Sequence, residues 1–151
     1  MSAAKGLALS LGIPLVGIST LELEAYPFGG LGLPVRPVQR AGQGQVATAL
    51  YSMVEGQLAC REGEQLVSPD ELRRLFHERT ILCGDMAHET LAWLQPELGK
   101  YVAAPAIFAS RAVALAALGW TRLLEGRTDD PATLEPLYLR PPHITGPKQR
   151  R

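Results

Sequence analysis

Residues 35–61, VRPVQRAGQGQVATALYSMVEGQLACR, decide the fold. Three apolar runs, Val35 to Arg40, Gln45 to Glu55 and Gln57 to Arg61, are separated by Ala41-Gly42-Gln43-Gly44 and by Glu55-Gly56, and both separators are hairpin signals. Three antiparallel strands in succession are expected. Alternation in Val46, Thr48, Leu50 against Ala47, Ala49, Tyr51 is weak, so the middle strand reads as covered on both faces and central in its sheet. Glu62-Gly63 offers a further turn before a short Gln65 to Val67 segment.

Downstream, the pattern changes to alternating helices and strands. Ser68-Pro69-Asp70-Glu71 is a capping box: the serine oxygen takes the amide at the third helical position, proline suits the first, and Glu71 reaches back to the cap. That helix is expected to run to about Glu78. Ile81 to Gly84 reads as a short buried strand, with Asp85 capping a helix from Ala87 to Leu94. A Tyr101-Val102 strand follows, then a long helix opened by Pro105 and stopped near Glu125 by Gly126. This order is that of the ribonuclease-H-like unit from which actin-like and sugar-kinase-like folds are built in duplicate. The expected class is α/β: the C-terminal subdomain of an actin-like fold, a mixed sheet flanked by helices.

Upstream, residues 4–22 read AKGLALSLGIPLVGISTLE. Apolar spacing predicts a helix from Ala4 to Leu11, ended by Gly12 with Pro14 beyond it, then a strand Leu15 to Ile18 and a Thr20-capped helix Leu21 to Ala25. The Pro27-Phe28-Gly29-Gly30-Leu31-Gly32-Leu33-Pro34 loop is the candidate hinge. Three units are expected: residues 1–33, the last helix and strand of a truncated N-terminal subdomain with its hinge; 34–140, the sheet subdomain; and 141–151, a flexible basic tail ending Lys148-Gln149-Arg150-Arg151. A helix this apolar at the start has a face with nothing before it to cover, so Met1 reads as an internal start.

The 151 residues, 46% hydrophobic and 20% charged, suit one domain with an ordinary core. No run approaches the roughly 20 apolar residues that cross a bilayer. Met1-Ser2-Ala3 lacks a secretory n-region, which makes the cytoplasm the expected compartment. Fifteen basic side chains balance fifteen acidic ones, so no overall field draws in a polyanion, and strong direct tRNA binding is not expected. Cys60 and Cys83 have no CxxC partner and no His at ligand spacing; they read as buried reduced thiols, with no metal or cofactor expected.

Chemical motifs are sparse. His88-Glu89 begins an H-E-x-x-H pattern, but position 92 is Ala92, and His77-Glu78 fails likewise, so these histidines read as exposed helix residues. No G-x-S-x-G surrounds Ser10, Ser19, Ser52, Ser68 or Ser110. Asp129-Asp130 before Pro131 reads as a cap.

The string at residues 4–22 resembles the helix and strand that close the N-terminal half of the TsaB (YeaZ-type) proteins. Further matches are the Ala41-Gly42, Gly44, Val46 frame of a hairpin commonly reading DAGRGEVYAA, the strand Ile81-Leu82-Cys83-Gly84-Asp85, and Pro136-Leu137-Tyr138-Leu139-Arg140, similar to a closing P-Y-L-R. Arg40, Gln43, Gln45 and Ala47 depart from that hairpin, and Met86 stands in the place of the second glycine of Gly-Asp-Gly. The family's DTS-type strand and GPGSFTG-type loop have no counterpart here.

The resemblance implies a non-catalytic scaffold in making threonylcarbamoyladenosine in tRNA. Its partners would be a TsaD-like catalytic subunit and a TsaE-like ATPase, or a second copy in a homodimer. Ala4, Lys5, Leu7, Ala8 and Leu11 are the candidate partner interface, because a helix lacking its own sheet must find cover. Packing of that helix on the chain's own second half is the open alternative. Two other classes stay in view. One is a remnant of an actin-like small-molecule kinase or ATPase, with Gly84-Asp85 as part of a nucleotide loop. The other is a module that self-associates through Leu7 and Leu11.

Overall fold

A computed structural model describes residues 1–98, 102–103 and 111–139. The elements are α1 (Ser2–Leu11), α2 (Thr20–Ala25), a 3₁₀ turn (Tyr26–Leu31), β1 (Val35–Gly42), β2 (Gln45–Val54), β3 (Gln57–Val67), α3 (Pro69–Arg74), β4 (Thr80–Cys83), α4 (Ala87–Leu98), β5 (Val102–Ala103) and α5 (Arg111–Leu124). The sheet order is β3-β2-β1-β4-β5. The first three strands form an antiparallel meander, and β4 then pairs parallel with β1, and β5 with β4. Among the described residues no helix is long and apolar enough to cross a membrane.

Each face of the sheet has its own core. On one side Val38, Val46, Val67 and Leu82 meet Leu72 and Phe76 after β3, and Ala87 and Leu94 of α4. On the other, Val35, Ala49, Tyr51 and Ile81 meet Leu21 and Ala25 of α2 and Phe28 of the 3₁₀ turn. The expected hinge is therefore part of the core: Phe28 and Gly29 are buried, and a Cβ on Gly29 would stand 2.9 Å from Met53 Cε.

Several expectations are corrected. Central position falls to β1, whose first four residues are all buried, because β4 adds in parallel on its far side and leaves β2 between β1 and β3. The Glu62-Gly63 turn does not form; β3 runs unbroken through it, the mismatch being absorbed by bulges opposite Thr48, Leu50 and Tyr51. Leu15 to Ile18 makes only an isolated bridge, Leu15 with Asp129, since no neighbouring strand among the described residues offers a ladder. Ser19, not Thr20, caps α2, its hydroxyl accepting from the Leu21 and Glu22 amides. α3 ends at Arg74 because the chain turns Phe76 into the core. Its capping box forms as expected, with both reciprocal bonds present. Tyr101, the start of the last helix at Pro105, and the tail from Arg140 lie outside the described residues.

Candidate functional site

Three places concentrate the chemistry. The first is α1. Of its ten residues Ala8 alone is buried. Lys5 is half-buried and donates from Nζ to the carbonyls of Leu134 (2.9 Å) and Ala132 (3.4 Å), so it holds α1 to the segment that follows α5. Asp129 strengthens this seam: its amide donates to Leu15 O at 2.8 Å, and its Oδ2 accepts from the Gly17 amide at 2.6 Å. Arg122 of α5 continues it, donating to Gly17 O at 2.7 Å and to both Glu22 oxygens at 2.6 Å. Of the five candidate interface residues, then, Lys5 and Ala8 are used within the chain, while Ala4, Leu7 and Leu11 stand exposed. Leu9 and Ile13, which the 3.6-residue spacing passes over, are exposed as well.

The second place is the end of β1. Gly84 has φ +98°, and a Cβ there would intrude on the Val38 backbone, so the turn after β4 packs directly on β1. Met86 N donates to Val38 O at 3.1 Å. Asp85 was expected to cap α4; its Oδ1 instead accepts from the Arg40 amide at 3.0 Å. The Arg40 guanidinium binds both Glu89 oxygens, at 3.0 and 3.2 Å. Sequence-distant turns meet here as a nucleotide loop would require, but the side chains present are carboxylates already engaged with an arginine.

The third place has no motif. A cleft of about 400 Å³ opens over the α2 side of the sheet, between the Ile18–Leu21 segment and Pro136–Leu139. Its polar lining includes Ser19, Thr20, Gln39, Glu64 and Tyr138. Ser19 Oγ donates to Glu64 Oε1 and accepts from the Leu21 amide, and the buried Tyr51 lies in the core beneath. Burial, with Glu64 as the next cause, pushes the Tyr51 hydroxyl far above its ordinary range, so it stays protonated. No sequence motif marks Ser19 or Glu64, since only the closed meander brings these residues 45 positions apart together.

The histidines and cysteines divide simply. His77 and His88 are exposed, and no metal-holding group of side chains occurs among the described residues. Cys83 is buried beside Glu24 as expected. Cys60 is not: it lies exposed on β3, an edge strand of the sheet.

The model of the family TsaD, tRNA N6-adenosine threonylcarbamoyltransferase, matches residues 1–119. Among solved structures the chain is similar to YeaZ from Pseudomonas aeruginosa, with TM-score 0.69 and 19% identity over 91% of this chain. It is also similar to a Pseudomonas aeruginosa protein described as uncharacterized with similarity to peptidase YeaZ, with TM-score 0.70 and 20% identity over 91% of this chain. The chain spans 65% and 64% of the lengths of those two proteins. No curated protein matches it significantly. At such identities the structural likeness establishes the fold, the mixed sheet flanked by helices that the element order predicts.

Proposed function

The chain belongs to the tRNA N6-adenosine threonylcarbamoyltransferase (TsaD) family, and from that premise we propose that it serves threonylcarbamoyladenosine formation in tRNA as a non-catalytic, YeaZ-type subunit. Its partner in this reading is a TsaD-type catalytic subunit, with a TsaE-type ATPase as the further member, and its compartment is the cytoplasm.

The exposure of α1 carries the reading. Leu7, Leu9, Leu11 and Ile13 are 58, 63, 64 and 50% exposed. A ten-residue helix is marginal in water without tertiary cover, and each apolar side chain covered contributes roughly 1.5–3 kcal/mol. A second protein surface supplies that cover without any chemistry from this chain. The kinase or ATPase reading gains no support from the Gly84-Asp85 turn, where Asp85 and Glu89 would oppose a phosphate.

Calorimetric titration of purified TsaD into this chain tests the proposal. Saturable binding is expected, weakened roughly a hundredfold or more in the Leu7→Glu/Leu11→Glu variant, where two contacts are lost and two charges desolvated. Absence of binding, or equal affinity of the variant, rejects it. Sedimentation of the chain alone separates the homodimer: a dimer that persists when TsaD is added would assign α1 to self-association instead.

A further inference from the structure

The cleft between Ile18–Leu21 and Pro136–Leu139 has the makings of a ligand site that the scaffold reading does not use. Its volume of about 400 Å³ suits a small molecule. Its walls are mainly apolar, with Leu21, Ala47 and Leu66 below and Pro136 and Leu139 above. No lysine or arginine side chain lines it and Glu64 is its one carboxylate, with Met1 and the phenol of Tyr138 on the same lining.

Glu64 is half-buried on β3 and held in place. One carboxylate oxygen takes the Ser19 hydroxyl, and Ser19 is itself fixed by the Leu21 amide at 3.1 Å and the Glu22 amide at 3.5 Å. The other oxygen has no hydrogen bond among the described residues. The half-buried Gln39 amide lies on the same lining. A carboxylate oriented by a second hydrogen bond and walled by apolar groups favours a charged donor, because the low-dielectric surround strengthens that pair while doing little for a neutral guest.

We propose that this cleft binds a small organic cation, an ammonium or guanidinium group on an apolar body, with the charged group on Glu64 and the body between Leu66 and the Pro136–Leu139 segment. An anion is disfavoured by the same carboxylate. A neutral guest of the same shape keeps only the apolar contact.

The test is titration of the full chain, followed by NMR, with three probes sharing one ring: 2-phenylethylammonium, 2-phenylethanol and phenylacetate. The cation is expected to bind at least about tenfold tighter than the alcohol, the scale of one charge-assisted hydrogen bond, and to shift the signals of Ile18, Ala47 and Leu66. Phenylacetate should bind weakest. Glu64→Gln, on a half-exposed side chain, should fold and bring the cation down to the alcohol's affinity. Ser19→Ala frees the carboxylate and should lower the preference for the cation without removing it. Equal affinities, preference for the acid, shifts confined to other surfaces, or a preference that survives Glu64→Gln would each overturn the proposal, as would failure of the cation to bind. Because none of this involves TsaD, its failure leaves the scaffold reading standing, and the reverse holds too.

Discussion

Removing the carboxylate of Glu62 should cost far more than removing the arginine it pairs with. Arg36 leaves β1 toward Phe76 with its side chain 1% exposed, yet a guanidinium cannot shed its proton in a protein. Nη2 donates to Glu62 Oε2 at 2.6 Å and to Leu75 O at 3.3 Å, the guanidinium carbon lies 5.6 Å from the Phe76 ring centroid, and Nε and Nη1 have no hydrogen-bond partner. Without the carboxylate, one carbonyl and one ring face would hold a full buried charge. Breaking a fully buried pair in this way costs about 3–5 kcal/mol. The Glu62 side chain is 35% exposed, so water can follow it in, and about 2–3 kcal/mol is the reasonable expectation for Glu62→Ala. Arg36→Met behaves oppositely. It keeps most of the volume, removes the charge and its orphan donors, and leaves Glu62 free to hydrate, so its cost should stay below about 1 kcal/mol and could be a gain. In urea unfolding followed by circular dichroism, a slope of roughly 1–3 kcal/mol/M puts the Glu62→Ala midpoint about 1 M below wild type, with Arg36→Met near it. If Glu62→Ala leaves the midpoint unmoved, or Arg36→Met is the more damaging of the two, the reasoning fails.

Three further outcomes rest on the same packing. Gly84→Ala should lose more than about 2 kcal/mol in the same urea assay, since it adds strain at φ +98° to a collision with the Val38 carbonyl; a loss under half that size would refute the close approach. Ser68→Ala should cost about 1 kcal/mol at pH 7. Hydrogen bonds from the Ser68 amide and hydroxyl hold the Glu71 carboxyl below its usual range, so this stabilisation is present above the unfolded value near 4.3 and fades as pH falls through the lower folded value; a cost that stays constant down to pH 2 contradicts it. Thiol labelling of the native chain should modify Cys60 and spare Cys83 until the chain unfolds. The Cys60 rate should lag that of free cysteine at pH 8, because desolvation and then Glu64 raise its pKa, and peptide mapping that finds Cys83 labelled first would be decisive against this.

Local chemistry made much of the fold legible. The capping box at Ser68–Glu71, the hairpin at Gly42–Gly44 and the buried strand at Ile81–Cys83 each depend on neighbours in sequence, and each forms where the residues put it. What escaped was decided at long range. Charge at Glu62 and Gly at 63 read as a turn, but two bulges in β3 itself take up the extra residues and the strand passes straight through. Nothing in the run Val35 to Arg40 marks Arg36 as buried and paired, because its partner lies 26 positions away on a strand with β2 between them. The family was legible in scattered short matches, whereas the Ser19–Glu64 pair belongs to no motif and exists only once the meander is closed.

The seam between α1 and the segment after α5 has a consequence for how the molecule comes apart. Leu15 with Asp129, Gly17 with Asp129, and Lys5 with Leu134 stitch the first residues to ones more than a hundred positions later. Among the described residues no helix or strand packs extensively on α1. Cleavage at Arg127, an exposed basic residue just beyond α5, would cut the thread that carries Asp129 and Leu134, and the first helix would be free to unravel while the sheet stayed whole.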